Sequence, residues 1–234
     1  RDLSGLIGVS GAEQEVVKYM RDHLAPLADE VFVTPIGNVI AMKKGTRPGP
    51  KVMVTAHSDE VGFVVKTILS SGFIRFEKIG FVPEQELPAR KVWVMTQKGK
   101  VPGVFGLKSE HLQTEEDKKK RLTTRDIFLD VAASSREEAE AMGIRVGDRI
   151  VIQNDFMEMH NPDFICTKSV DDRIGCTVVL QLFEEMQNQD FAGTLYAAIT
   201  VQEESGFTGA KVISSLIEPD YALVIDTMPC IDTP

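Results

Sequence analysis

Apolar residues recur with two different periods along this chain, and each period predicts a type of element. Between about 13 and 24 they recur every three or four residues, which predicts an amphipathic helix. Ser10 and Glu13 have the spacing of a capping box, so we expect them to begin this helix. Shorter apolar runs at 31–33 and 39–42 flank a turn-rich stretch and predict two strands.

Further strands and helices are predicted in two other parts of the chain, at 51–65 and after about 162. The run at 51–65 is largely apolar and predicts a buried strand that a polar cluster interrupts. The pattern after about 162 predicts, in order, a helix near 174–186, a strand at 194–201, a helix near 209–216 and a strand at 221–225. Because strand and helix alternate, we expect an α/β fold with a mostly parallel sheet flanked by helices on both faces.

Between these two parts lies a stretch in which short apolar runs are separated by Gly and Pro. This texture predicts a small β-rich, barrel-like domain at 69–161, inserted into a catalytic α/β domain made of 1–68 and 162–234. Inside the insertion, Ser135 and Glu138 have capping-box spacing and predict a short helix that ends before Gly143.

Composition narrows the class of function. The 234 residues are 43% hydrophobic, enough for a substantial core, and 26 Lys and Arg against 35 Asp and Glu give a formal net charge of -9. An acidic chain is a poor candidate for binding nucleic acid or an anionic membrane. No apolar run is long enough to span a bilayer and no signal segment is evident, so we predict a cytoplasmic protein. The cysteines Cys166, Cys176 and Cys230 lack metal-binding or redox spacing and are interpreted as small core residues.

Three of the predicted strands end in residues that can bind metals: His57 with Asp59, Glu203 with Glu204, and Asp226. Ligand sites in open α/β sheets gather at the carboxyl ends of strands, so these residues converge if the strands are neighbours. Adjacent residues in a strand point to opposite faces, and the two glutamates can therefore share one site only if their strand has already ended.

Asp171 and Asp172, just before a predicted helix, add two more carboxylates. Crowded carboxylates repel one another, and a divalent cation is the natural counter-charge. Imidazole mixed with carboxylate suits Zn²⁺, Co²⁺ or Mn²⁺. Asp59 lies two residues beyond His57, on the same side of a strand, and could orient its imidazole. Asp172 could instead simply pair with Arg173.

Each of these residues also has a purely structural interpretation. His57 could be a hydrogen-bonded core histidine, Asp226 a turn or cap residue, and the Glu203–Glu204 pair a solvated turn. Their occurrence at four element ends in one chain favours the metal site over these separate explanations.

Several segments resemble a known family. They are MVTAHSDEVGFVV (53–65), KSVDDRIG (168–175), VQEESGFTGA (201–210) and VIDTMP (224–229), with weaker support from GVSGAE (8–13), PGVFG (102–106) and GIRVGD (143–148). In this order they resemble the signature segments of the glutamyl aminopeptidase and TET (tetrahedral) aminopeptidase family of dinuclear metallopeptidases. The resemblance covers nearly the whole chain.

This resemblance implies two divalent ions, zinc or cobalt, held by matching residues. His57 and Asp226 would bind the first ion, Glu204 would bind the second, and Asp171 would bridge both. Family members carry a further histidine ligand later in the chain, so we expect this 234-residue sequence to be incomplete.

The resemblance also implies a mechanism and an assembly. Glu203 would be the general base in the hydrolysis of peptide substrates, Asp59 would support His57, and the bond between Asp171 and Asp172 would be cis. A homo-oligomer of twelve subunits, assembled through the inserted domain, is expected. Ser205, Phe207 and Thr208 depart from the residues usual in relatives, which leaves the substrate preference open. A hydrolase of N-acyl amino acids or polysaccharides, and an assembly protein with a vestigial site, are the alternatives.

Overall fold

The computed structural model describes residues 1–153 and 156–230. They form two compact units: residues 1–60 with 156–230, called here the α/β unit, and residues 61–153, called the barrel unit. No helix in the described ranges is both long and apolar enough to cross a bilayer.

The elements follow in chain order. The strands are β1 Glu30–Val33, β2 Val39–Lys44, β3 Arg47–His57, β4 Gly62–Ile68, β5 Ile74–Ile79, β6 Lys91–Thr96, β7 Gly99–Leu107, β8 Ile127–Asp130, β9 Arg149–Ile152, β10 Met157–Glu158, β11 Ile165–Cys166, β12 Ala192–Thr200 and β13 Tyr221–Val224. The α-helices are α1 Asp2–Gly5, α2 Gln14–Leu24, α3 Glu115–Lys119, α4 Arg136–Ala141, α5 Val170–Glu185 and α6 Thr208–Ile213. Single 3-10 turns occur at Glu84–Glu86, Glu110–Leu112 and Met186–Asn188.

The sheet of the α/β unit has the order β1-β2-β12-β3-β13 and is mixed. β3 pairs in parallel with β12 and β13, whereas β2 pairs antiparallel with both β1 and β12. The prediction of a mostly parallel sheet is therefore wrong, because two of the four strand pairings are antiparallel. β1 and β2 are joined by a short turn, closed by the Thr34 N–H to Asn38 carbonyl bond, and so short a connection permits only antiparallel pairing.

Helices cover both faces of this sheet. Val16 and Met20 of α2 and Phe183 of α5 pack with Val39 and Ala41 in one cluster. Ile40, between those two strand residues, packs instead with Ile213 of α6 in a second cluster. Successive strand side chains point to opposite faces, so one apolar run of β2 serves both layers. All four residues of β13 are exposed.

The barrel unit is a closed sheet of order β4-β5-β8-β7-β6-β9. Its first strand, Gly62–Ile68, pairs with both β5 and β9. The apolar run at 51–65, predicted as one interrupted strand, is thus two strands in different sheets, with the polar residues 58–60 between them. The barrel unit comprises residues 61–153, because β4 belongs to the closed sheet. The predicted bounds of 69–161 are therefore too late at both ends.

Local signals gave mixed results. Ser135 caps α4 by accepting the N–H of Glu138, and Gly143 follows the helix with φ +101°, as predicted. The capping box at α2 is wrong, because the helix begins at Gln14 and Ser10 lies too early to cap it. Ser10 Oγ lies instead 2.8 Å from Ser205 Oγ.

The cysteines do not share one environment. Cys176, on the buried face of α5, is a core residue as predicted, whereas Cys166 and Cys230 are exposed and the interpretation of both as core residues is wrong. Cys166 lies on the β10–β11 hairpin, whose paired residues are all exposed, so no core is available to it there.

Candidate metal centre

Three parallel strand ends place the candidate ligands at one edge of the sheet. β3 lies between β12 and β13, and His57 at its end is in register with Thr200 at the end of β12. Val224, the last residue of β13, pairs with Thr55, which precedes His57 by two residues in β3. The polar residues that follow these ends therefore emerge on the same side of the sheet, as expected for the carboxyl ends of parallel strands.

His57 is the centre of the cluster and is 4% exposed. Its Nε2 lies 3.0 Å from Asp171 Oδ1, 3.9 Å from Asp226 Oδ1 and 4.0 Å from Glu203 Oε2. Its other ring nitrogen, Nδ1, lies 3.4 Å from Asp59 Oδ1. A carboxylate behind the ring and several in front of it is the arrangement that orients a metal-binding imidazole.

Two sets of donor atoms among the described residues are close enough to share an ion. Within each set the atoms lie within 4.8 Å of one another: His57, Asp172 and Asp226 form the first, and His57, Glu203 and Glu204 the second. Asp171 belongs to neither set, although it contacts His57 directly. The predicted ligands thus surround one imidazole, and Asp172 is a neighbour that the ligand prediction omitted. This mixed nitrogen and oxygen donor set fits a divalent metal ion.

The electrostatics of the cluster favour a cation. Burial acts to lower the pKa of His57, but Asp59 and Asp172 act in the opposite direction and the net result raises it to about 9. Burial, and then the charge of Asp171, raises the pKa of Glu204 to about 7. Carboxylates that resist ionisation beside an imidazole that holds its proton indicate a pocket that stabilises added positive charge.

The peptide bond between Asp171 and Asp172 is cis, as the family resemblance predicted. Asp172 is fully buried, and its carboxylate accepts the N–H groups of His57 at 3.2 Å and Gly175 at 3.0 Å. Arg173 donates instead to the Leu3 carbonyl at 2.7 Å. The alternative of a simple Asp172–Arg173 pair is therefore wrong.

Asp59 also makes two contacts that sequence reasoning missed. Its Oδ1 and Oδ2 accept the backbone N–H groups of Glu203 and Glu204, each at 3.0 Å. β12 ends at Thr200, so the adjacent glutamates are no longer in a strand and can both face the cluster. Nothing in the local pattern around Asp59 reveals these bonds, because their partners lie more than 140 positions away.

Imidazole and carboxylate donors gathered at strand ends of an α/β fold form a candidate site for divalent cations. The profile of the M42 glutamyl aminopeptidase family matches residues 37–234, and the chain belongs to this family. Lysyl aminopeptidase of Pyrococcus furiosus is 37% identical over 221 residues, which cover 94% of this chain and 62% of that protein.

Solved structures give the same result. The TET aminopeptidase of Thaumarchaeota archaeon SCGC AB-539-E09 matches with a TM-score of 0.94 and 37% identity, over 99% of this chain and 65% of that one. The Pyrococcus horikoshii TET1 peptidase, which can assemble into a tetrahedron or a large octahedral shell, matches with a TM-score of 0.89 and 30% identity, over 99% of this chain and 68% of that one. The chain thus spans a little over three fifths of the length of the curated relatives it matches.

Proposed function

We propose that the protein is a metal-dependent aminopeptidase that removes N-terminal residues from peptides. The observation that carries this proposal is that carboxylate oxygens of Asp171, Glu203 and Asp226 lie within 4.0 Å of His57 Nε2 in a chain of the M42 family.

In the proposed site, His57 and Asp226 would hold one divalent cation and Glu204 a second, and Asp171, which lies 3.0 Å from His57 Nε2, would supply a carboxylate to both. Zinc or cobalt is the proposed metal, because one imidazole and several carboxylates match the donor preference of either ion. Such ions, when bound, polarise the scissile carbonyl and lower the pKa of the attacking water.

Glu203 is the proposed general base. Its side chain is 22% exposed, which leaves it open to water and substrate, while its backbone N–H is held by Asp59. In this role the carboxylate accepts a proton from the attacking water and passes it to the leaving amine.

The test compares Glu203→Gln with Glu185→Gln, an exposed glutamate near the end of α5. We expect Glu203→Gln to lower kcat on aminoacyl-nitroanilides about 10²–10⁴-fold and Glu185→Gln to leave it unchanged. Chelation should abolish hydrolysis, and Zn²⁺ or Co²⁺ should restore it. N-acetylated and glucan substrates in the same panel separate an aminopeptidase from other hydrolases. Hydrolysis that persists through both chelation and Glu203→Gln would refute the mechanism.

We also propose a cytoplasmic homo-oligomer, with a dodecamer as the expected form and the barrel unit contributing to assembly. Support for assembly comes from the structure of PhTET1-12s, a dodecamer, and from the Pyrococcus horikoshii TET1 peptidase, which can form a tetrahedron or a large octahedral shell. Light scattering on the purified protein should give a mass near twelve protomers, and a stable monomer at micromolar concentration would contradict the proposal.

A further inference from the structure

The backbone that carries Glu203 and Glu204 is held from outside by side chains. We call residues 201–209 the glutamate turn. Four consecutive N–H groups of this turn are each accepted by a buried side chain: Val201 by Asn38 Oδ1 at 3.0 Å, Gln202 by Glu13 Oε1 at 3.1 Å, Glu203 by Asp59 Oδ1 at 3.0 Å, and Glu204 by Asp59 Oδ2 at 3.0 Å.

The three acceptors come from three separate elements of the α/β unit. Glu13 immediately precedes α2, Asn38 immediately precedes β2, and Asp59 follows β3. Asn38 also donates from Nδ2 to the Gly209 carbonyl at 3.0 Å, so it ties the two ends of the glutamate turn together. The backbone of the glutamate turn is therefore held by side chains that lie outside the turn, in three other parts of the α/β unit.

Glu13 is the least expected member of this set. It is 4% exposed, and a carboxylate is costly to bury unless hydrogen bonds compensate for the lost water. It does not cap α2 with its side chain. Its Oε1 accepts only backbone N–H groups in the described structure, those of Gly11 at 2.7 Å and Gln202 at 3.1 Å.

The held residue, Gln202, has an unusual backbone. Its φ is +55°, in the left-handed region that residues other than glycine rarely adopt. This conformation turns the chain between the end of β12 and the two glutamates. The Glu13 oxygen that accepts the Gln202 N–H stabilises that conformation, because a buried backbone N–H needs an acceptor.

We propose that Glu13 is a positioning residue for the metal centre, acting through Gln202 on the placement of Glu203 and Glu204, with Asn38 as its partner at the other end of the turn. This inference rests on the proposed function of the same site. Glu13 touches neither substrate nor metal in this role. Its effect is to keep the two carboxylates at a fixed distance from His57.

The experiment compares Glu13→Ala, Glu13→Gln and the control Glu15→Ala in the complete protein. Glu15 is an exposed glutamate in the first turn of α2. Its carboxylate accepts the N–H of Ile7 and no N–H of the glutamate turn. Glu13→Ala should lower kcat and the affinity for Co²⁺, read from its visible absorption, each about 10–100-fold, with KM changed less than about threefold. Glu13→Gln should restore both, because its amide oxygen still accepts the Gln202 N–H. Glu15→Ala should match the parent.

Hydrogen exchange of the unsubstituted protein supplies a measurement that does not depend on a variant folding. The amides of 201–204 should exchange as slowly as those of the central strand β12, and rapid exchange would overturn the inference. Parent-like Co²⁺ affinity in Glu13→Ala, or no recovery in Glu13→Gln, would overturn it as well. A parent that binds Co²⁺ but hydrolyses no aminoacyl substrate would refute the proposed function alone, since the Co²⁺ and exchange results would still decide the role of Glu13.

Discussion

The interiors of the two units differ in the kinds of side chain that they bury. Among its described residues, the core of the barrel unit is formed by apolar side chains alone, including Phe63, Phe76 and Phe105 with ring centroids 4.6–5.3 Å apart. Buried polar and charged residues occur elsewhere: among the described side chains all of them lie in the α/β unit, namely Ser4, Ser10, Glu13, Thr34, Asn38, His57, Ser58, Asp59, Glu60, Asp172, Arg173 and Thr200.

This difference separates two tasks. A closed sheet has no edge, and an apolar core needs only volume and shape, so the barrel can be stable without any buried charge. The α/β unit has to hold carboxylates and an imidazole away from water, which costs free energy unless each is hydrogen-bonded or paired. Its polar interior is the support of the candidate metal centre, and substitutions in the two units should therefore have different consequences.

The largest effect should come from a cavity in the barrel. Phe105 is 1% exposed, and Phe105→Ala should cost about 3–5 kcal/mol of unfolding free energy, measured from the hydrogen exchange of the barrel strands. Phe81→Ala is the matched control, because that ring is 80% exposed and should cost less than about 0.5 kcal/mol. Equal costs for the two variants would contradict the packing described for the barrel.

A smaller effect should come from a buried ion pair in the α/β unit. Lys168 Nζ lies 2.8 and 2.9 Å from the two oxygens of Glu60, with side chains 12% and 5% exposed. Lys168→Met should cost about 1.5–3 kcal/mol, because it leaves a buried carboxylate short of donors. The control is Lys66→Met in the barrel, whose pair with Glu77 is 59% and 50% exposed and should contribute less than about 1 kcal/mol.

Cys176 can show whether these two effects stay in their own units. Burial raises the pKa of its thiol, and it should react with iodoacetamide only when the α/β unit opens. Lys168→Met should speed its labelling, and Phe105→Ala should not. If both variants speed it equally, the units unfold together and the comparison between them fails.

The smallest effect should come from a helix cap in the barrel unit. Ser135 Oγ accepts the Glu138 N–H at 3.2 Å, and Ser135→Ala should cost about 1 kcal/mol, measured by urea denaturation. Ser134→Ala serves as the control, because the neighbouring residue contributes its backbone N–H, which alanine retains. A larger loss at Ser134 than at Ser135 would show that the cap is misassigned.

Much of the fold could be predicted from local pattern. The helix at α2, the strands β12 and β13 and the cap of α4 depend on residues a few positions apart, so periodicity reveals them. The start of the barrel could not be predicted, because only the pairing partners of β3 and β4 show that the polar residues between them divide two sheets.

The candidate site divides in the same way. His57, Glu203 and Asp226 could be found because each lies at or shortly after the end of an apolar strand, which is a signal within one short segment. The placement of Asp172 against the His57 N–H and the bonds from Asp59 to the glutamate turn could not, because they join segments more than 110 positions apart.

The sequence by itself determined which residues are available for chemistry and that they stand at the ends of strands, because strand periodicity and the family motifs are both local properties of the chain. Three features are visible only in the folded chain: the sheet is mixed, Arg173 pairs with Glu60 rather than Asp172, and Glu13 accepts the N–H of Gln202, 189 positions away. These outcomes depend on which buried donor meets which buried acceptor. That matching depends on packing in three dimensions, since most buried polar groups are hydrogen-bonded and their partners can come from any part of the chain.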